Sequence, residues 1–213
     1  MINSLYDKFK PWSAKGSIYI ISDTHFEDAD CRYMDPGWIT PQEHMATLKE
    51  IIHKNDTLIH LGDVGNAEYL DELKCYKVLI TGNHDVLSKV ASYFDEIYNG
   101  PLFIADRILL SHEPIYGLEG SVVNIHGHDH RGAYVTYDKH FNFSHINLAS
   151  NVVEYSVFNL GKAIKNTGIL SGVENYHRAT IDKATERKNI INALANIGEV
   201  YPVSLEDLEK MKI

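Results

Sequence analysis

The chain has 213 residues, enough for one domain with a small appendage, and its 44% hydrophobic and 23% charged residues exclude a wholly disordered protein. Its 20 lysines and arginines and 29 aspartates and glutamates give a formal net charge of −9. This charge argues against a protein that binds nucleic acid through a stripe of basic residues. The two cysteines, Cys31 and Cys75, lie outside any CxxC motif, and no signal peptide or membrane-spanning apolar run is recognisable, so we expect a cytoplasmic protein.

The first half of the chain alternates short apolar runs with amphipathic segments. The apolar runs predict buried strands at residues 17–21, 57–61 and 77–80. The segments between and after them predict helices at residues 40–54, 67–74 and 86–93, the first of which starts at the Thr40-Pro41 pair.

The second half of the chain is richer in strands. A β-hairpin is predicted at residues 102–111, and further strands are predicted at residues 121–126, 141–148 and 151–158. Together the two halves indicate an α/β fold with two mixed sheets packed face to face and helices outside them.

The last part of the chain has a different composition. Glycines and polar residues at 161–172 predict a linker, and a polar helix at 174–196 and a final turn at 206–211 are expected after it. We therefore divide the chain into a main domain at residues 1–165 and a helical appendage at residues 166–213. Packing against the main domain is the default role of this appendage, with a lid or a homo-oligomer contact as alternatives.

Five predicted strands end directly in side chains that bind metal ions in proteins. In chain order these ends read Asp23-Thr24-His25, Gly62-Asp63, Gly82-Asn83-His84-Asp85, Ser111-His112 and Gly127-His128-Asp129-His130. Because ligands of open α/β sheets bind beyond the carboxyl ends of strands, five such ends could converge on one crevice. Alternate side chains of an extended segment point the same way, so a D-x-H or H-x-H pair can reach one ion or face two adjacent ions.

The chemistry of these donors favours a catalytic pair of divalent ions. Imidazole, carboxylate and amide groups without a thiolate suit ions such as Zn, Fe, Ni and Mn, and they disfavour a structural zinc knot. A carboxylate such as Asp63 can bridge two ions about 3.5–4 Å apart. Two such ions would leave the centre positive and would draw a phosphate group into an otherwise acidic protein.

The five blocks, in this order, resemble the calcineurin-like metallophosphoesterases, whose pattern is D-x-H, G-D, G-N-H-[DE], H and G-H-x-H. The match covers about residues 17–164 and leaves the appendage unexplained. The resemblance implies a four-layer α/β/β/α sandwich, in which two mixed sheets are flanked by helices. It also implies two bound divalent ions, with Mn, Fe, Zn and Ni as candidates and Mn favoured for activity.

The resemblance further implies a role for each motif residue. The first ion would take Asp23, His25, Asp63 and His130, and the second would take Asp63, Asn83, His112 and His128. A hydroxide that bridges the ions would attack phosphorus in line, while His84 stabilises the transition state or protonates the leaving oxygen, oriented by Asp85.

The activity implied in this way is hydrolysis of phosphomonoesters or phosphodiesters of a small substrate, with a nucleotide as one example. A first alternative is a metal-dependent nuclease or amidohydrolase that uses the same ligand types. A second alternative is an inactive binding module that kept the fold and the metal ions.

The segment at residues 26–37 directly follows the first motif and should therefore overhang the site. Arg32 and Tyr33 are candidates within it for contact with the substrate, and a plain solvated loop is an equal alternative. Tyr116 is a weaker candidate for the same role.

Other histidines are interpreted as structural. His126 precedes the last motif, and we expect it to support the ligands or the fold, with metal binding as the alternative. His60 lies inside a predicted strand and should be buried and hydrogen-bonded. His44 and His53 lie on the first predicted helix and are expected on its surface.

Overall fold

The computed structural model describes residues 3–4, 12, 16–104, 108–117, 122–138 and 143–166, which form two mixed β-sheets with flanking helices. The strands are β1 Asn3–Ser4, β2 Ile18–Ile21, β3 Thr57–His60, β4 Tyr76–Ile80, β5 Glu96–Tyr98, β6 Leu102–Ile104, β7 Ile108–Leu110, β8 Val123–His126, β9 Val135–Asp138, β10 Phe143–Asn147 and β11 Phe158–Asn159. The α-helices are α1 Cys31–Met34, α2 Pro41–Ile51, α3 Leu87–Val90 and α4 Leu160–Asn166, and two short 3-10 helices cover Ala67–Glu72 and Ala91–Tyr93. The expected arrangement of two mixed sheets with helices beside them is confirmed.

The five-stranded sheet has the order β11-β2-β3-β4-β5. Strands β2 to β5 run parallel, and only β11 at the edge is antiparallel. Because the carboxyl ends of parallel strands meet at one edge of a sheet, the loops that follow β2, β3 and β4 come together there.

The six-stranded sheet has the order β1-β6-β7-β8-β10-β9. Its β6–β7 pair is the predicted hairpin, with Leu102 opposite Leu110, and its turn lies outside the described residues. Strand β8 runs parallel to both β7 and β10, so the carboxyl ends of β7 and β8 lie side by side.

The core lies between the sheets and under the helices. Alternate residues of each central strand face opposite sides, so Ile59 packs between the sheets while its neighbour Leu58 packs toward α2. Helix α2 covers that outer face with Met45 and Leu48, both almost fully buried. Strands buried on both faces explain why the sequence shows continuous apolar runs there.

Helix α2 starts where the sequence predicts and ends earlier. Thr40 accepts a hydrogen bond from the Glu43 backbone N–H while the Glu43 carboxylate accepts one from the Thr40 backbone, which forms a capping box. The helix stops at Ile51 and not at residue 54. The Asp56 carboxylate accepts a 2.7 Å hydrogen bond from the His53 backbone N–H and a 2.8 Å one from Ser17, and so turns the chain into β3.

The strand predicted at residues 151–158 is wrong. The chain forms tight turns from Ser150 onward, with Glu154 and Tyr155 in the left-handed region at φ of 52° and 57°, and only Phe158–Asn159 pairs as a strand. The Ser150 hydroxyl donates a 2.6 Å hydrogen bond to the Ser22 carbonyl, which ties this turn to the five-stranded sheet. The apolar residues at these positions therefore belong to a segment that crosses from one sheet to the other.

Several elements differ from the sequence prediction or were absent from it. The short strands β1, β5 and β9 and the short helix α1 were not predicted, and helix α4 occupies the first part of the predicted linker. Residues after 166, which include the predicted helix at 174–196 and turn at 206–211, lie outside the described residues. Within the part of the chain that the structure describes, no helix is long and apolar enough to cross a membrane.

Candidate metal centre

The loops after β2 and β3 are held together by backbone hydrogen bonds. The Asp23 backbone N–H donates to the Gly62 carbonyl at 2.9 Å, and the His25 backbone N–H donates to the Asp63 carbonyl at 3.0 Å. Three of the predicted ligand positions therefore reach one edge of the five-stranded sheet.

The six-stranded sheet brings its own donors to the same edge. The Gly127 backbone N–H donates to the His112 carbonyl at 2.9 Å, so the ends of β7 and β8 are joined. The His128 backbone N–H then donates to Asp23 Oδ2 at 2.9 Å, which links the two sheets at the site.

The first group of possible ligands consists of Asp23, His25 and His130, whose donor atoms lie within 4.8 Å of one another. Asp23 Oδ1 is 3.6 Å from His130 Nε2 and 4.0 Å from His25 Nε2. Asp23 Oδ1 and His25 Nε2 are both buried without a hydrogen-bond partner among the described residues. Leaving such atoms unpaired is costly, and a cation between them would satisfy both.

The second group consists of Asp63, His112 and His128, again with donor atoms within 4.8 Å of one another. Asn83 joins it, because its Oδ1 lies 2.8 Å from His112 Nε2 and 3.1 Å from His128 Nδ1. The Asp63 Oδ2 atom is 3.3 Å from His112 Nε2. Carboxylate, amide oxygen and imidazole converge here as they do around divalent metal ions.

Asp63 lies between the two groups. Its Oδ2 atom is 3.7 Å from His25 Nε2 in the first group and 3.3 Å from His112 Nε2 in the second. Its Oδ1 atom accepts a 2.8 Å hydrogen bond from the His84 backbone N–H, which fixes the carboxylate plane. One carboxylate oxygen is therefore within reach of two cation positions.

Three of the four histidines in these groups are oriented by a partner on the ring nitrogen that faces away from the site. The Nδ1–H of His25 donates to Asp28, that of His130 to Asn151 and that of His112 to the Leu61 carbonyl, at 2.9–3.0 Å. Donation from Nδ1 leaves the Nε2 lone pair free for a metal ion, which is the usual arrangement around metal-binding histidines.

The backbone at the site is strained. Asp23, His25, Asp63 and His128 all have positive φ, at 54°, 42°, 56° and 66°. Non-glycine residues rarely adopt this conformation, and such outliers concentrate at functional sites. Gly82 allows the close approach between loops, since a Cβ there would lie 2.2 Å from Asp63 Oδ1.

The charges of the centre shift the pKa values of its members. Burial alone would lower the pKa of His112, but its hydrogen bond to Asp63 and the charges of Asp23 and Asp63 raise it. Burial would likewise raise the pKa of Asp63, yet the hydrogen bond and charge of His112 outweigh it and lower that pKa to about 2. The pocket thus favours a positive charge beside ionised carboxylates, as a metal site does.

His84 lies at the rim of the site, outside both groups. Its side chain is exposed, and its ring centroid is 5.7 Å from that of His25. It also lines a cleft of about 620 Å³ that includes His25. The ring can therefore reach a substrate without acting as a metal ligand.

Asp85 does not orient the His84 ring as the resemblance implied. Its carboxylate accepts three backbone hydrogen bonds, from Gly82 at 2.8 Å, from Asp63 at 3.0 Å and from Val64 at 2.9 Å. These bonds use three of the roughly four acceptor positions of a carboxylate, and none of them involves the His84 ring. Asp85 therefore braces the loops after β3 and β4.

His126 is in neither group of ligands. Its Nδ1–H donates to the Gly127 carbonyl at 2.8 Å, and its ring lies edge-on to His145 at 5.3 Å. Burial lowers the pKa of His126. These contacts agree with a structural role.

His60 is buried and hydrogen-bonded, as predicted, while His44 is not on the surface. His60 contacts the Thr24 hydroxyl at 3.0 Å and accepts a 3.1 Å bond from the Gly62 backbone N–H, so it braces two ligand loops. His44 is only 2% exposed and packs between Phe26 and Tyr155. The polar face of α2 is interrupted there because the turn after residue 150 covers it. His53 is exposed, as predicted.

The predicted substrate contacts differ in position. Arg32 is exposed and lines a cavity of about 220 Å³ that also includes His25 and Trp38. Tyr33 is 83% exposed. Both residues belong to helix α1 and not to an irregular loop. Tyr116 is 74% exposed and contacts His145.

Sequence reasoning missed Trp38. Its ring centroid is 5.9 Å from that of His25 and 5.6 Å from that of His130, so it covers the first group. Asp28 and Asn151, which orient the same two histidines, were also missed. Only Asp28 had a usable signal, since it follows His25 by three residues.

Comparisons with known proteins agree with this geometry. The family described as a calcineurin-like phosphoesterase superfamily domain matches residues 17–168. The chain therefore belongs to the calcineurin-like phosphoesterase superfamily, whose members are generally metal-dependent phosphoesterases.

Among solved structures, the chain is similar to a protein of unknown function from Aquifex aeolicus, with 24% identity and a TM-score of 0.57. The similarity covers 70% of this chain and 98% of that one, and it supports the fold alone. No curated protein matches the chain.

Proposed function

We propose that this protein hydrolyses phosphomonoesters or phosphodiesters of a small substrate with the help of two divalent metal ions. The observation that carries the proposal is the position of Asp63 Oδ2, 3.7 Å from a histidine nitrogen of the first group and 3.3 Å from one of the second. A carboxylate oxygen shared between two sets of donors is the arrangement of two-metal hydrolases.

Each ion would have a defined set of donors. The first set is Asp23, His25, Asp63 and His130, and the second set is Asp63, Asn83, His112 and His128. Bound ions would neutralise phosphate charge and lower the pKa of water, which makes a nucleophile near neutral pH. We take Mn²⁺ as the activating ion, with Fe, Zn and Ni as alternatives.

The protein's own side chains have to handle the leaving group. The exposed His84 ring lines the cleft, and its centroid is 5.7 Å from that of the donor His25, so it could approach the leaving oxygen of an ester bound at the centre. A protonated histidine at that position can donate its proton to the departing alkoxide. This role needs no contact with Asp85.

The direct test uses purified protein with Mn²⁺ and two esters, p-nitrophenyl phosphate and bis-p-nitrophenyl phosphate. We expect hydrolysis of at least one ester and its loss with EDTA. Asp63→Asn should abolish turnover and reduce the bound metal measured by plasma mass spectrometry. The matched control is Asp71→Asn, the same change on the exposed 3-10 helix, which should alter neither.

Other outcomes would identify the alternatives. A metal-loaded protein that hydrolyses neither ester would contradict the proposal and would favour an inactive binding module. Faster cleavage of single-stranded or double-stranded DNA than of either small ester would favour a nuclease.

A further inference from the structure

The charged residues that line the cleft beside the metal centre are mainly acidic. The cleft has a volume of about 620 Å³, and its lining includes His25 and His84 together with Lys89 and Tyr93. His25, whose buried Nε2 atom has no hydrogen-bond partner among the described residues, belongs both to this lining and to the first group of donors, so the cleft adjoins the metal centre. A substrate held at the centre would extend into this cleft.

Three carboxylates line the cleft, namely those of Glu27, Asp28 and Glu68. Lys89 is the single lysine or arginine among the residues that line it. A further acid, Asp85, is directed to backbone amides. The cleft is therefore acidic, although it leads to a centre that is expected to bind phosphate.

Glu27 is held in place by the fold. Its backbone is in the left-handed region at φ 61°, next to Phe26, which bridges to Gly65. Its carboxylate accepts 2.8 Å hydrogen bonds from Asn66 Nδ2 and from the Tyr69 hydroxyl. A strained backbone and two side-chain donors fix the charge in position, which a freely moving surface glutamate would not provide.

The lining of the cleft also offers apolar surface. Val86, which directly follows the Gly82-Asn83-His84-Asp85 motif, is 51% exposed, and Tyr93 lines the same cleft. An organic leaving group could pack on these side chains while its polar groups face the carboxylates. The ammonium of Lys89 offers one contact for a hydrogen-bond acceptor.

We infer that the leaving group of the substrate occupies this cleft and is a neutral or cationic alcohol without a second phosphate or carboxylate. The inference rests on the proposed function and narrows its substrate class. A negative charge on a leaving group in this cleft would be repelled by the fixed carboxylate of Glu27, whereas an amine or hydroxyl would be attracted to it. Glu27 acts here as a specificity residue and takes no part in the chemistry.

The test compares three small monoesters whose leaving groups differ in charge: choline phosphate, glycerol 3-phosphate and 3-phosphoglycerate. With the Mn²⁺-loaded protein, kcat/KM for 3-phosphoglycerate should be about tenfold below that for glycerol 3-phosphate, as expected for one like-charge contact in a partly solvated cleft. Choline phosphate should equal or exceed glycerol 3-phosphate. Inhibition constants of the three esters against p-nitrophenyl phosphate provide the same comparison from binding.

Variants separate charge from shape. Glu27→Gln should reduce the ratio of kcat/KM between the neutral and the anionic ester severalfold. The inhibition constant of inorganic phosphate, which probes the metal centre alone, should stay unchanged. The control Glu50→Gln, on the exposed side of α2, should leave the kcat/KM ratio unchanged. Salt at about 1 M, where the Debye length is about 3 Å, should reduce the same kcat/KM ratio in the unmodified protein. If circular dichroism shows that Glu27→Gln does not fold, Glu68→Gln tests another carboxylate of the same cleft.

The outcomes of this test and of the previous one are distinct. Absence of p-nitrophenyl phosphate turnover would contradict the proposed function. Normal turnover with equal kcat/KM and equal inhibition constants for all three esters, or a kcat/KM ratio that Glu27→Gln and Glu68→Gln leave unchanged, would overturn this inference alone.

Discussion

His84 differs from the other histidines of the site because its exposed ring belongs to neither group of metal donors. Its backbone N–H is fixed by a 2.8 Å hydrogen bond to Asp63 Oδ1, while its ring is exposed. The main chain thus places the ring, and the ring itself supports no metal ligand. Removing the ring should therefore affect chemistry and leave the donors intact.

We accordingly predict that His84→Ala retains full metal content and loses roughly 100- to 10,000-fold in kcat, the usual contribution of a general acid. Plasma mass spectrometry and p-nitrophenyl phosphate kinetics check the two parts. His53→Ala, an exposed histidine on the loop after α2, is the control. Loss of metal in parallel with activity would show that His84 supports the ions.

His44 is a buried histidine whose Nε2 atom has no hydrogen-bond partner among the described residues. Burial lowers its pKa from 6.5 to about 4. The unfolded chain therefore binds a proton on this side chain near pH 6.5, whereas the folded protein binds it only near pH 4. Hence the free energy of unfolding falls as the pH falls through this window, by up to about 1.4 kcal/mol per pH unit for this group.

His44→Phe should reduce the slope of the unfolding free energy against pH between pH 6.5 and 4 by the equivalent of about one proton. The aromatic replacement suits its neighbours Phe26 and Tyr155, so stability at pH 7 should change little. Urea unfolding of the metal-free protein at several pH values measures the slope, and His53→Phe is the matched control. An unchanged slope would mean that His44 is accessible to protons in the folded state.

At the scale of secondary-structure elements, the loops after β3 and β4 depend on one side chain. Asp85 accepts hydrogen bonds from the backbone of both loops, which carry Asp63 and Asn83. Asp85→Ala would leave three backbone donors without this acceptor. The cost of such losses is typically 1–3 kcal/mol each, and water recovers part of it at a half-buried site.

We expect Asp85→Ala to lower the free energy of unfolding by about 2–4 kcal/mol and to weaken metal binding. Asp85→Asn keeps an oxygen acceptor and should lose clearly less. Urea unfolding in EDTA and metal titration measure the two effects. A loss below about 0.5 kcal/mol for Asp85→Ala would show that the carboxylate is not a structural brace.

The sequence predicted the central strands well because each is buried on both faces and reads as a continuous apolar run. The β3 segment is an example, since every residue from Thr57 to His60 is buried. Edge elements escaped prediction for the opposite reason. Strand β5, Glu96–Tyr98, is three residues long and half-buried, so its periodicity carries little signal.

The segment at residues 151–158 shows a second limit of sequence reasoning. Val152, Val153 and Tyr155 have high strand propensity, yet the chain turns here because it must pass from one sheet to the other. Non-local constraints of this kind also place Trp38 and Asn151 at the metal centre. By contrast, residues in the motifs were identifiable because each one follows a strand directly.

At the scale of the whole molecule, the two sheets meet at the metal centre as well as in the core. The first group takes Asp23 from the five-stranded sheet and His130 from the six-stranded sheet, and the second group is divided in the same way between Asp63 and His128. Any ion bound there would tie the sheets together. Binding to the folded state alone stabilises a protein in proportion to the logarithm of ion concentration.

Added Mn²⁺ should therefore raise the melting temperature of the protein, with a stabilisation of about 2.7 kcal/mol when the free ion is 100 times its Kd. EDTA should reverse the rise, and His128→Ala should reduce it, whereas the exposed-residue variant His53→Ala should not. Differential scanning calorimetry measures the effect. A melting temperature independent of Mn²⁺ would contradict binding at this position.

The fluorescence of Trp38 should report whether an ion is bound at the first group of donors. The chain has two tryptophans, and the other, Trp12, is 5% exposed in the core between the sheets and donates a hydrogen bond to Glu96. Trp38 instead lies over His25 and His130, so a paramagnetic ion such as Mn²⁺ held by them should quench its fluorescence. Binding and release of such an ion should then be measurable by stopped-flow fluorescence without a label.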